Sequence, residues 1–251
     1  MTAIVLLILF VAVLAWFASK DGAEYRRFKT FSDTRDRQRI YAVWLLKSVL
    51  AFGGGSLASL ALLRQWQALT HFPPAFSPLL RSFRTNLASG GGASAFILGM
   101  GAAFFASLIV LSLILRARAK RRSDKPKQIV IGDIQPLLPR NAAERWWAAL
   151  LSVNAGVSEE LFFRLVLPLV LAIVFGNAAV AFVLATLAFG LAHLYQGWAG
   201  VVATTVVGAV MSAIYLATGD IWVAVILHAA IDLNGLLVMP YLAERRARVA
   251  Q

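Results

Sequence analysis

Between Leu161 and Pro240 the chain carries only three formally charged residues, Arg164, Asp220 and Asp232. About 20 mostly apolar residues are enough to cross the roughly 30 Å of a bilayer's hydrocarbon. A stretch this long and this apolar therefore folds back and forth through lipid. The whole chain agrees, with 60% hydrophobic and 14% charged residues, against about 45–50% and about 25% in soluble domains. In hydrocarbon every backbone amide must be satisfied internally, which leaves helices as the economical solution. The expected fold is an all-α polytopic membrane protein. The chain has no cysteine, so disulfides, thiol nucleophiles and Cys-ligated metal sites are excluded.

Turn signals divide the apolar stretches. The first expected span is about 2–18, which lacks both a basic n-region and a small-x-small cleavage site and is read as a retained helix. The second covers about 40–63, with Lys47 near enough to one end to snorkel, and the third about 95–115. Breaks at Gly176-Asn177, Gln196-Gly197 and Gly219-Asp220 give four more: 146–175, 178–196, 198–218 and 221–240. The block 146–175 is long for one crossing, so its first part is expected in the interface or on an oblique path. Asn141 and Glu144 fit a capping box for it.

Basic residues set the expected orientation. The 20–40 segment holds seven Lys/Arg and the 116–140 segment eight, whereas 64–94 holds only Arg64, Arg81 and Arg84. The first two are read as cytoplasmic and the third as external, with the N-terminus outside and the Arg245, Arg246 and Arg248 tail inside. Seven spans satisfy this parity; an eighth, re-entrant piece is the alternative. The net charge of +12 is thus a topology signal, and the 116–127 run a contact for anionic lipid rather than nucleic acid. Abundant Ala and an excess of Arg over Lys point to a bacterial inner membrane.

Ionisable groups inside such spans cost at least about 2.5–3.5 kcal/mol each on insertion scales. They are concentrated in three places: Glu159, Glu160 and Arg164; Phe189 with His193; His228 with Asp232. Glu160 and Arg164, spaced i and i+4 with the acid first, should pair. Glu159 lies about 100° round the helix and is the carboxylate left free. The i, i+4 rule also puts Phe189 beside His193 and His228 beside Asp232. A buried Glu–Arg pair or a lone histidine is often structural. Four acidic and imidazole groups on three of four consecutive spans argue for one shared site that activates water. Ser158 adjoins Glu159 but has no base partner of its own. His71, beside Phe72 and two prolines, is read as a surface residue without a catalytic part.

The set EExxxR (Glu159, Glu160, Arg164), FxxxH (Phe189, His193) and HxxxD (His228, Asp232), in that order, resembles the CPBP family. That family comprises CAAX prenyl proteases and bacteriocin-processing or Abi proteins, regarded as intramembrane glutamic endopeptidases. The resemblance covers about 140–240. It implies that Glu159, assisted by His193, activates water, and that His228 and Asp232 stabilise the oxyanion. Glu160, Arg164 and Phe189 would support them, with no cofactor and no metal. The implied partner is a membrane-associated or lipidated peptide, and no nucleic acid. Asp232 stands where the prenyl proteases usually have Asn. An ionised Asp cannot donate to an oxyanion, so Asp232 is protonated, orients His228 or joins it in binding a metal. Leu165 also departs from the glycine common after the arginine.

The expected organisation is a three-span region at 1–139, a catalytic core at 140–241 and a basic tail at 242–251. Other readings of the same residues are a zinc-dependent protease, a non-catalytic bacteriocin-immunity or scaffold protein, and a proton-coupled transporter. The absence of HExxH weighs against the first of these, and that of an inverted repeat against the last.

Overall fold

The structure, a computed structural model, describes residues 1–89 and 132–242. Every regular element among them is helical. The expected span 95–115, the basic run 116–127 and the tail arginines lie outside the described residues.

Helix α1 (Thr2–Thr30) does not stop where its apolar stretch ends but continues through the charged segment. Its outer face is apolar and exposed at Ile4, Val5, Ile8 and Leu9, while Leu6 and Phe10 are buried. An apolar outside around a packed inside is what a bilayer stabilises. Asp33 caps α2 (Thr34–Leu62), accepting from the Arg35 and Asp36 amides at 2.7 and 3.3 Å. Lys47 is not left to snorkel alone, since it pairs with Glu24, which also accepts from Trp44 Nε1 at 3.1 Å. Trp44 itself belongs to an aromatic cluster with Tyr25, Phe28 and Tyr41.

The loop read as external contains helix α3 (Ser77–Ala88). Phe76 and Phe83 are buried, and Arg84 donates to the Ala217 and Thr218 carbonyls at 3.1 and 3.2 Å. Those carbonyls end the next-to-last helix and have no partners of their own within it. His71 is exposed and hydrogen-bonded to Thr70.

Asn141 caps α4 (142–175), its side chain accepting from the Glu144 amide at 3.0 Å. The helix then runs unbroken to Phe175, loosened into a π turn at Leu161–Val166. At about 1.5 Å per residue it is about 51 Å long, well over the roughly 30 Å of a bilayer's hydrocarbon. Its first turn is anchored by a fully buried ion pair, Arg37 Nε to Glu144 Oε2 at 3.0 Å. Asn177 caps α5 (Ala178–Ala192), which ends one residue before His193. A single 3-10 turn, Leu194–Gln196, leads into α6 (Gly197–Thr218). Gly219, at φ +76, ends α6 in the left-handed conformation that suits glycine. Asp220, exposed as expected, caps α7 (Ile221–Leu242). That helix also contains a π turn, Asn234–Val238, just beyond Asp232.

Among the described residues four helices are long and apolar enough to cross a membrane: α1, α2, Leu194–Thr218 and Ile221–Leu242; α5 is apolar but shorter. The protein is an all-α polytopic membrane protein.

Small residues set the helix spacing that builds the site, as expected where lipid gives no hydrophobic drive for helix association. A Cβ at Gly156 would come within 2.8 Å of Ala229 Cβ and of the Val225 carbonyl, so α4 and α7 meet there backbone to backbone. In the glycine run of α2 only Gly53 has this role, where a Cβ would approach Ser158 Oγ to 3.0 Å. Gly156→Val is expected to push α4 from α7 and destabilise the fold by about 1–3 kcal/mol. Thermal unfolding in detergent measures this; an unchanged midpoint would show that the contact is dispensable.

Candidate active site

Close approach of α4 and α7 at Gly156 puts the next turns of both helices side by side. One turn on, His228 Nδ1 lies 2.6 Å from Glu160 Oε1, both buried. Since a carboxylate only accepts, the imidazole donates Nδ1–H to it. Glu160 has its other oxygen 3.2 Å from Arg164 Nε, the expected intrahelical ion pair. The contact is an ion pair and not an aligned hydrogen bond, and it spans the start of the π turn at Leu161. Arg164 lies instead with its guanidinium carbon 3.9 Å from the centre of the Phe189 ring. Its Nη1 and Nη2 have no hydrogen-bond partner among the described residues.

Phe189 links this pair to the second histidine. Its carbonyl accepts from His193 Nδ1 at 2.8 Å, and its ring sits 4.7 Å from the imidazole, centre to centre. With Nδ1–H committed to a carbonyl, neutral His193 turns the lone pair of Nε2 outward. That atom is 4.0 Å from Glu159 Oε2. Oε2 has no hydrogen-bond partner among the described residues, in keeping with the free carboxylate that helix geometry predicts. Asp232 Oδ2 is 3.7 Å from His228 Nε2, outside hydrogen-bond distance, and its side chain is the most exposed of the group at 34%.

All seven expected residues therefore converge: Glu159, Glu160, Arg164, Phe189, His193, His228 and Asp232. The orienting bond to His228 comes from Glu160 on the neighbouring helix, and not from Asp232 one turn away. Ser158 donates to Asn154 Oδ1 at 2.8 Å and makes no contact of a nucleophile with a base. Among the described residues no three His, Cys, Asp or Glu side chains form a metal-ligand set.

Two contributors lie outside the sequence motifs. Gly208 on α6 leaves room for the Arg164–Phe189 stack, since a Cβ would lie 2.9 Å from Phe189 Cδ1 and 3.3 Å from Arg164 Nη2. Tyr195 follows His193 at 6.0 Å between ring centres and accepts from Gln196 Nε2 at 3.0 Å. A lone glycine inside an apolar helix is the visible signal for the first; nothing local marks the second.

Comparison with known families matches residues 141–234 to the model described as type II CAAX prenyl endopeptidase, Rce1-like. Over this stretch the chain is similar to that family. The match begins at the cap of α4 and ends two residues after Asp232, so the matched stretch holds every residue of the converged site. It is less than half of the chain, and α1 to α3 lie outside it. No curated protein and no solved structure gives a significant match.

Proposed function

We propose that the protein is an intramembrane endopeptidase that cuts a lipidated, CAAX-like peptide with water activated by Glu159 and His193. The observation that carries this reading is the 4.0 Å approach of an unpaired carboxylate oxygen to an imidazole nitrogen whose other nitrogen is already tied down. A water oxygen fits between them, because two hydrogen bonds of about 2.8 Å span more than that gap. Glu159 takes a proton from this water, and the hydroxyl adds to the substrate carbonyl carbon. His193 holds the water through Nε2. The resulting oxyanion is met from α7 by Nε2–H of an imidazolium His228, which Glu160 and Asp232 balance in charge. When the tetrahedral species collapses, the C–N bond breaks and the proton on Glu159 passes to the leaving amine.

Supporting groups follow the same order. Glu160 and Arg164 fix His228, and Phe189 fixes His193 through its carbonyl. The chemistry is read as metal-independent, since among the described residues no three His, Asp or Glu side chains gather as a ligand set. The family name supplies the substrate class: a prenylated cysteine close to a chain's C-terminus. The distribution of basic residues and the composition support a reading in which the protein sits in a bacterial inner membrane, with the N-terminus outside and the site reached from the cytoplasm.

The test is hydrolysis of a farnesylated CAAX peptide by the protein reconstituted in lipid vesicles, read by mass spectrometry. Cleavage beside the modified cysteine, unaffected by a chelator, is the expected result. An intact peptide, or activity lost to chelation and restored by zinc, would overturn the mechanism.

A further inference from the structure

A cavity of about 470 Å³ opens against the turn that bears His193. Three pieces of chain frame it: α1 from Ala18 to Lys29, Asp133, and the turn from Leu191 to Gly197. The frame is fastened, because Asp133 pairs with Lys29 at 2.7 Å, its amide donates to the Gln196 carbonyl at 3.0 Å, and its own carbonyl accepts from Tyr25. Tyr195, between Tyr25 at 5.2 Å and His193 at 6.0 Å, is the wall shared by the cavity and the reacting groups. Anything filling the cavity therefore lies one ring's width from the scissile bond.

The lining identifies the occupant. Lys29 is neutralised by Asp133, but Arg26 has neither an ion pair nor a hydrogen bond among the described residues, and the same holds for Asp21. Tyr195 and Gln196 add groups that donate and accept. Such a mixed lining suits a peptide, whose backbone offers both, with one anionic group opposite Arg26. The cavity also begins at Ala18, where the apolar part of α1 gives way to the charged part, the depth at which a lipid-anchored peptide leaves hydrocarbon.

Resting on the proposed endopeptidase reading, we infer that this cavity is a peptide subsite in which Arg26 recognises a carboxylate on the polar side of the scissile bond. Selectivity would then come from α1, outside the matched stretch. The carboxylate is either the chain terminus or an acidic side chain near it.

Three farnesylated CAAX peptides separate the cases: one with a free C-terminal carboxylate, one with a carboxamide, and one with a carboxamide and Glu as last residue. Each is titrated for binding to the Glu159→Gln protein in neutral phosphatidylcholine vesicles, with and without Arg26→Gln. The carboxylate peptide is expected to bind about tenfold more tightly than the carboxamide, the loss of one charge-assisted hydrogen bond, and Arg26→Gln should abolish the difference. Tight binding of the Glu peptide assigns the side chain as the source, and weak binding assigns the terminus. Discrimination that survives Arg26→Gln, or no binding at all, overturns the subsite. So does a variant whose only defect is lost stimulation by phosphatidylglycerol, which would make the cavity a lipid site. Failure of the endopeptidase reading shows separately, as a carboxylate peptide left intact by the wild-type protein.

Discussion

Replacing Glu159 by Gln is expected to lower the turnover of a cleaved peptide by about 10²–10⁴-fold, the usual contribution of a positioned general base. The fold should be unaffected. Glu159 Oε2 makes no hydrogen bond among the described residues, so an amide of the same shape disturbs no partner there. It cannot take the water's proton, however. Steady-state rates on vesicle-reconstituted protein, beside a melting curve of each sample, measure both halves of the statement. A variant that melts normally and cleaves normally would remove Glu159 from the chemistry. One that fails to fold would mean that its carboxylate is structural.

The second large effect concerns stability. Arg164→Met leaves the buried Glu160 carboxylate without its cation, and breaking one side of a buried pair costs about 3–5 kcal/mol. Both side chains are essentially inaccessible, at 1% and 0%, so solvent does not screen the loss. Glu160 would still hold His228 at 2.6 Å, and that imidazole, if protonated, recovers part of the cost. Adding Glu160→Gln removes the stranded charge, so the double variant should be more stable than Arg164→Met alone. It should still cleave poorly, because an amide replaces the carboxylate that holds His228. Equal stability of the single and double variants would mean that Glu160 is not held as an ion.

Much of this site is legible in the sequence, and the limits are physical. Within one helix, spacing decides which side chains meet. That is why the Glu160–Arg164 pair, the turned-away Glu159 and the Phe189–His193 contact all follow from counting residues. The Glu160–His228 bond cannot be counted. It joins two helices, and depends on Gly156 letting α7 approach α4 at Ala229. The π turn at Leu161–Val166 is equally hidden, since an apolar stretch looks the same with or without one extra residue in a turn.

Outside the site, single-helix reasoning again marks the boundary. The caps at Asn141 and Asp220 are local and can be read. The burial of Phe76 and Phe83 under α3, and the bond from Arg84 to the end of α6, are tertiary; a short polar-looking stretch between spans gives no hint of them. Lys47 reads as a snorkelling lysine because its partner, Glu24, is on another helix.

The most direct test of intramembrane proteolysis is a comparison of the membrane peptides of cells carrying wild-type protein with those of cells carrying Glu159→Gln, matched for expression. The account predicts a lipidated precursor that accumulates only with the variant, together with loss of its cleaved form. Identical peptide sets, with the variant stably folded, would contradict it.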